Sequence, residues 1–256
     1  MSEKYLLLRR IGTHLKEQNW FAVAAEFLIV VTGVFLGIQV SNWNAEYQER
    51  QDERQILKRL SDETDVLLSA VQRETATLRQ KTDLLINVQP VIYSVEAARP
   101  LSDEECEAVA LSHIYRLGSD ELPILNELIG TGRFDRLRDD GVKQMLREYI
   151  LFRDDLRSRH EERTNEIFRL SNLHPDAISV TSVPRTPDYD GDWTWLSAEG
   201  YRWRPSCNIQ HIRQNQSFLN DFFDNSGRTG NVLSSYEERE AMLMSLKERL
   251  TSALAE

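Results

Sequence analysis

The chain has 256 residues, with 41 Asp and Glu against 31 Lys and Arg, a formal net charge of −10. An excess of acid on this scale excludes nucleic acid as the expected partner, because phosphate backbones are held by clustered cations. The charge is unevenly spread, and one stretch carries almost none.

That stretch is residues 20–40, WFAVAAEFLIVVTGVFLGIQV, which hold no Lys or Arg and a single acid, Glu26. At 1.5 Å per residue it makes a helix about 31 Å long, the thickness of a bilayer's hydrocarbon core. Twelve of its residues are Leu, Ile, Val or Phe, worth together roughly −4 to −7 kcal/mol on an insertion scale. A central acid would cost roughly 2.5 to 3.5 kcal/mol, and Glu26 sits nearer the first interface, so insertion wins. Trp20 and Trp43 flank the run where amphipathic rings favour the lipid–water boundary. A cleaved signal peptide would have a shorter apolar region and a small-residue cleavage site, and none follows Val40. A buried helix of a soluble protein is the other alternative. The expectation is a transmembrane helix over residues 20–43.

Within the run, Ala22, Glu26, Gly33 and Gly37 fall on one helical face, and the last two form GxxxG. Small residues let a second helix approach closely, and an intramembrane acid normally faces protein. This face is the expected contact with another transmembrane protein or a second copy. Lys4, Arg9, Arg10 and Lys16 precede the run, whereas Glu46, Glu49, Asp52 and Glu53 follow it with Arg50. Positive residues stay inside, so residues 1–19 are expected in the cytoplasm and residues 44–256 outside the membrane. In a bacterium that means the inner membrane and the periplasm.

The remainder reads as mainly α. Residues 44–88 contain neither Gly nor Pro, and Leu57, Thr64, Val71, Leu78, Leu85 and Ile92 recur every seven residues. Leu60, Leu67 and Val88 fill companion positions, but Glu74 and Lys81 leave others polar. That favours one long amphipathic helix packing on its own domain over a coiled coil, continuing from the membrane helix until Pro90 ends or kinks it. Ser102 with Glu105 is a capping box opening a helix to about residue 117. Further helices are expected over residues 119–129, 141–170, 209–223 and 235–254, an antiparallel bundle.

Residues 171–207 interrupt this pattern with four prolines and with Trp193, Trp195, Trp203, Tyr189 and Tyr201. A long aromatic, Pro-rich loop of this kind is either a lid over the core or a partner or ligand surface. Residues 178–183, ISVTSV, have strand composition and admit a small hairpin. Cys106 and Cys207 are the only cysteines, an even count suited to one disulfide in an oxidising compartment. Two buried thiols, or a zinc site with His113 and His211, are the alternatives. Asp188, Asp190, Asp192 and Glu199 have calcium-loop spacing, but Trp193 stands where such a loop needs Gly, so no cofactor is expected beyond that possible calcium. No phosphate-binding or nucleotide motif and no nucleophile with its base is found.

Gln39-Val-Ser-Asn-Trp43-Asn, closing the apolar run ahead of a charged helix, resembles the Q-[IV]-x-N-W-N signature of bacterial single-span membrane proteins of unknown function. The central Gly132-Arg133-Phe-Asp135 followed by Asp139 is similar to their GR-x-D turn. The resemblance implies an inner-membrane protein with an exported helical domain, and it transfers no catalytic residue. The leading expectation is a non-enzymatic interaction protein, an accessory or assembly subunit. The alternative is a periplasmic ligand-binding or sensory bundle acting through a membrane partner.

Overall fold

The structure, a computed structural model, describes residues 20–114, 118–164, 167–187 and 197–255, with no side-chain detail at 20–23, 163 and 164. The chain is mainly helical. It divides into two compact units, one ending at Gln55 and one running from Ile56 to the carboxyl end. The described part of the first is helix throughout, belonging to α1 (Trp20–Ile92).

In the second unit α1 contributes a stripe of Leu57, Leu60, Thr64, Leu67 and Val71, then Leu85, Val88 and Ile92, all buried. Pro90 lies inside the last turn instead of ending the helix, which stops two residues later. Ser94 takes a left-handed φ of 63° there, and the side chain of Arg213 donates from Nε to the Val91 carbonyl at 2.7 Å. A cation on the last carbonyls stabilises that end.

Helix α2 (Asp103–Ala110) opens with the expected capping box of Ser102 and Glu105. It ends earlier than the sequence suggests, because residues 111–114 form a turn whose carbonyls bond elsewhere. Helix α3 (Pro123–Gly130) starts four residues later than expected. Its own N-cap, Leu122, has no side-chain acceptor, and Glu63 of α1 accepts from the Ile124 N–H at 2.9 Å instead. Gly132 follows at φ +66°, a left-handed turn that glycine adopts without strain.

Helix α4 (Asp140–Thr164) is shorter than the expected 141–170. Asp139 caps it, accepting from the Val142 N–H at 2.8 Å, and also pairs with Arg249. A side chain at Gly141 would meet the Arg249 guanidinium, so this glycine makes room for the pair. A one-turn α5 (Leu170–Leu173) follows, and Ile167, expected on the inner stripe, is partly exposed outside any helix.

The region expected as irregular contains an antiparallel hairpin, β1 (Ile178–Pro184) with β2 (Tyr201–Cys207), pairing Ile178 with Cys207 and Pro184 with Tyr201. Trp203 packs on the core beneath it. Trp193 and Trp195 lie outside the described residues.

The largest departure is at the carboxyl end. The sequence predicts two helices here, over residues 209–223 and 235–254, and Gly227 and Gly230 lie between them. The structure has α6 (Ile209–Gln214), a break at Asn215, and one 40-residue helix α7 (Gln216–Ala255). Asn215 accepts from the Phe218 N–H at 3.1 Å and so caps α7. A buried stripe runs Phe218, Phe222, Asn225, Thr229, Val232, Tyr236, Arg239, Leu243, Leu246 and Leu250, in alternating steps of three and four. The two glycines lie off that stripe.

Pairs of Asp65 with Lys247, Gln72 with Glu240 and Arg79 with Glu237 set α1 antiparallel to α7. The core has two clusters. One gathers Leu60, Leu67, Val71, Leu125, Leu146, Leu243 and Leu246; the other gathers Leu85, Ile92, Val109, Leu170, Ile178, Phe218 and Phe222.

Candidate functional site

In the first unit α1 is apolar and uncovered. Phe27, Leu28, Ile29, Val30, Val34, Phe35 and Val40 are each more than half exposed, and at 100° per residue they point in every direction around the helix. It is the one described helix long and apolar enough to cross a membrane. A soluble protein rarely leaves so large an apolar surface in water. Glu26 is also exposed, and nothing lies within 4 Å of a side chain built at Gly33 or Gly37. Trp43 is exposed; the side chains of Trp20 and Ala22 are outside the described residues.

Cys106 and Cys207 are joined by a disulfide, with Cα atoms 5.7 Å apart, tying α2 to the end of β2. No free cysteine exists, so the zinc alternative fails for want of thiolates. Asp103 reinforces the same junction by pairing with Arg204 and Arg202. Of the calcium-spaced residues, Asp188, Asp190 and Asp192 lie outside the described residues, and Glu199 is exposed. Among the described residues no group of three or more His, Cys, Asp or Glu is placed to hold a metal ion.

Sequence reasoning missed a band of buried and half-buried polar residues in the second unit. Along α1 the passage from one core cluster to the other crosses Thr75, Lys81 and Thr82; along α7 it crosses Asn225 and Thr229. These side chains bind backbone. Lys81 Nζ donates to the carbonyls of Leu111 and Ile114 at 2.6 and 2.7 Å. Asn225 Nδ2 donates to Ser112 Oγ at 3.1 Å and to the Phe168 carbonyl at 2.8 Å, and Thr229 Oγ1 donates to the Ser112 carbonyl at 3.0 Å. The turn at residues 111–114 is therefore tied to both α1 and α7 by hydrogen bonds. Burial lowers the Lys81 ammonium to about 8.

Beside it, the Gly118 N–H donates to the Tyr236 hydroxyl at 2.8 Å, and Tyr149 donates to the Asp120 carbonyl at 2.7 Å. Burial pushes both phenols up. Arg157 forks onto the buried Asp120 at 2.7 and 2.6 Å and also meets Glu121, contacts that raise its pKa further. Arg239 is 1 % exposed, sits 5.2 Å from the Tyr236 ring, and reaches the Ser119 carbonyl at 3.4 Å. These bonds tie residues 118–121, just ahead of α3, to α4 and α7. His174 joins Asp221 of α7 at 2.7 Å with Phe218 edge-on to its ring, and this pair anchors α5.

The signal that could have found this band is the regular spacing from Phe218 to Leu250, which runs unbroken through Asn225 and Thr229. No protein-family model matches the chain, and neither a curated protein nor a solved structure does.

Proposed function

We propose that this chain is a membrane-anchored, non-enzymatic interaction protein of the bacterial inner membrane, an accessory or assembly subunit. Residues 1–19 lie in the cytoplasm, residues 20–43 span the bilayer, and the helical domain is periplasmic. The observation that carries this reading is the uncovered apolar surface around α1 at residues 27–40, which lipid and a partner helix would bury. The cations before the run support the orientation. The Cys106–Cys207 bridge supports an oxidising compartment for the domain.

In this reading the Ala22–Glu26–Gly33–Gly37 face receives a helix of another transmembrane protein or of a second copy. Van der Waals packing drives that contact, since lipid tails offer helices no hydrophobic incentive to associate. A sensory bundle is the second reading, favoured by the polar band around residues 111–114.

The test is purification in mild detergent. A stoichiometric co-purifying chain, or a stable oligomer, that is lost in Gly33→Ile/Gly37→Ile but kept when Phe27 and Val34 are replaced supports the interface. Equal tolerance on both faces leaves α1 a simple anchor and refutes the proposed docking face. A reporter active only in the periplasm, fused after Glu256, should be active; activity only of a cytoplasmic reporter reverses the orientation.

A further inference from the structure

We propose that two copies of this chain join through the free edge of β1, their strands pairing antiparallel about a two-fold axis at Thr181 so that two hairpins become one continuous sheet. The hydrogen-bond alternation of the hairpin decides which groups are free to do this. The Asn208 N–H donates to the Ala177 carbonyl and the Arg185 N–H to the Gly200 carbonyl, both at 2.8 Å, and each pair is directly opposite in the register that sets Ile178 against Cys207. Opposed residues that exchange such bonds recur at every second position of an antiparallel ladder. Ser179, Thr181 and Val183 therefore turn their backbone groups to β2. Val180 and Ser182 turn both N–H and C=O to the outer edge. Among the described residues no strand pairs with that edge, and Ser179 to Ser182 are exposed. Its two ends are closed, because the Ile178 N–H already donates to the His174 carbonyl at 3.0 Å and Pro184 has no N–H.

Sheet edges in water are normally guarded by a charged side chain, a bulge or a cover. β1 carries no charged residue, and its exposed side chains are short Ser, Thr and Val. The occupant is a second copy because this edge is its own complement. With the two-fold at Thr181, Val180 of one copy lies opposite Ser182 of the other, and each such pair exchanges both of its N–H···O bonds. A two-residue slip in one direction sets the Ser182 carbonyl against Ile178, whose N–H is taken. The opposite slip sets the Val180 carbonyl against Pro184, which has none. Strand pairing of this extent buries far less than the roughly 1,000 Å² of a stable interface. It therefore rests on the membrane-anchored reading, in which copies held in one bilayer meet at a raised effective concentration.

The two-fold puts Thr181 opposite its own equivalent at a non-hydrogen-bonded position, with Cα atoms about 4.5 Å apart, within reach of a disulfide. Ser179 faces Val183 instead, and lies about 14 Å from the other Ser179. The test compares Thr181→Cys with Ser179→Cys in isolated membranes, the full chain being treated with mild oxidant and resolved without reductant. The native cysteines are already bridged to each other, so the introduced thiol reacts alone. An adduct of twice the chain's mass should form with Thr181→Cys and not with Ser179→Cys. Adding Ser182→Pro removes one outward N–H per copy without touching the bonds to β2. It should slow formation of the Thr181→Cys dimer roughly tenfold or more. Equal crosslinking at both positions, no dimer at either, an adduct of another mass, or a rate unmoved by Ser182→Pro overturns the pairing. Should the proline variant fail to fold, the contrast between the two cysteine positions decides alone. Alkaline carbonate extraction separates this proposal from the reading beneath it: release of the chain refutes the anchor, whereas a retained chain without the Thr181→Cys dimer refutes the strand pairing only.

Discussion

Removing the disulfide is the perturbation whose size follows most directly from the fold. Cys106 and Cys207 are 101 residues apart, so the bridge closes most of the loop from α2 to β2 in the unfolded chain. The chain-entropy relation puts that constraint at about 4.7 kcal/mol, with measured losses of native bridges about 2–5 kcal/mol. Other ties survive the loss: Asp103 still pairs with Arg204, and the Asn208 N–H still donates to the Ala177 carbonyl at 2.8 Å. The hairpin should therefore stay folded at low temperature, and the effect should appear as reduced stability. For a domain of this size about 4 kcal/mol corresponds to a Tm roughly 8–16 °C lower. Cys106→Ala/Cys207→Ala is the variant of choice, because a serine hydroxyl at the buried Cys106 would add its own cost. The assay is thermal unfolding of the full chain in detergent, comparing the variant with the native protein with and without reductant. A Tm shift below about 2 °C, or two titratable thiols per chain in freshly isolated membranes, would refute the reasoning.

Gly227 and Gly230 lie within α7 with nothing within 4 Å of a built side chain, so replacing either with Ala should stabilise the protein by about 1 kcal/mol; a loss in chemical denaturation would contradict the continuous helix. Lys81 is held at about 8 by burial, below its ordinary 10.5, so the unfolded chain binds more protons between those values. Stability should rise with pH across that range by up to about 3 kcal/mol, and Lys81→Met should remove the slope in denaturant titrations from pH 8 to 9.5. Burial works against the Asp139 carboxylate, but Arg249 and the Val142 N–H outweigh it and hold its pKa below the usual range. Asp139→Ala removes the α4 cap and the ion pair with Arg249, and should cost about 1–3 kcal/mol; a neutral result by thermal unfolding would refute a stabilising role for the pair.

What the sequence determined by itself was whatever depends on neighbouring residues alone. The apolar run at residues 20–40 needs only its length and composition, the stripe through Leu57, Leu60, Thr64 and Leu67 only its period, and the Ser102–Glu105 box only a spacing of three. The strand at Ile178–Pro184 showed in its branched residues. Where the sequence misled, the deciding partner was distant. Helix α7 runs through two glycines because Asn225 and Thr229 are satisfied by Ser112, more than a hundred residues earlier in the chain, and because Phe218 and Phe222 pack beyond them. α3 starts at Pro123 because Glu63 supplies its cap, and the 111–114 turn stands as a turn because Lys81 takes its carbonyls. A buried polar group is tolerable only when its hydrogen bonds are made, and those bonds exist only once the helices have packed, so the tertiary structure alone decided these boundaries.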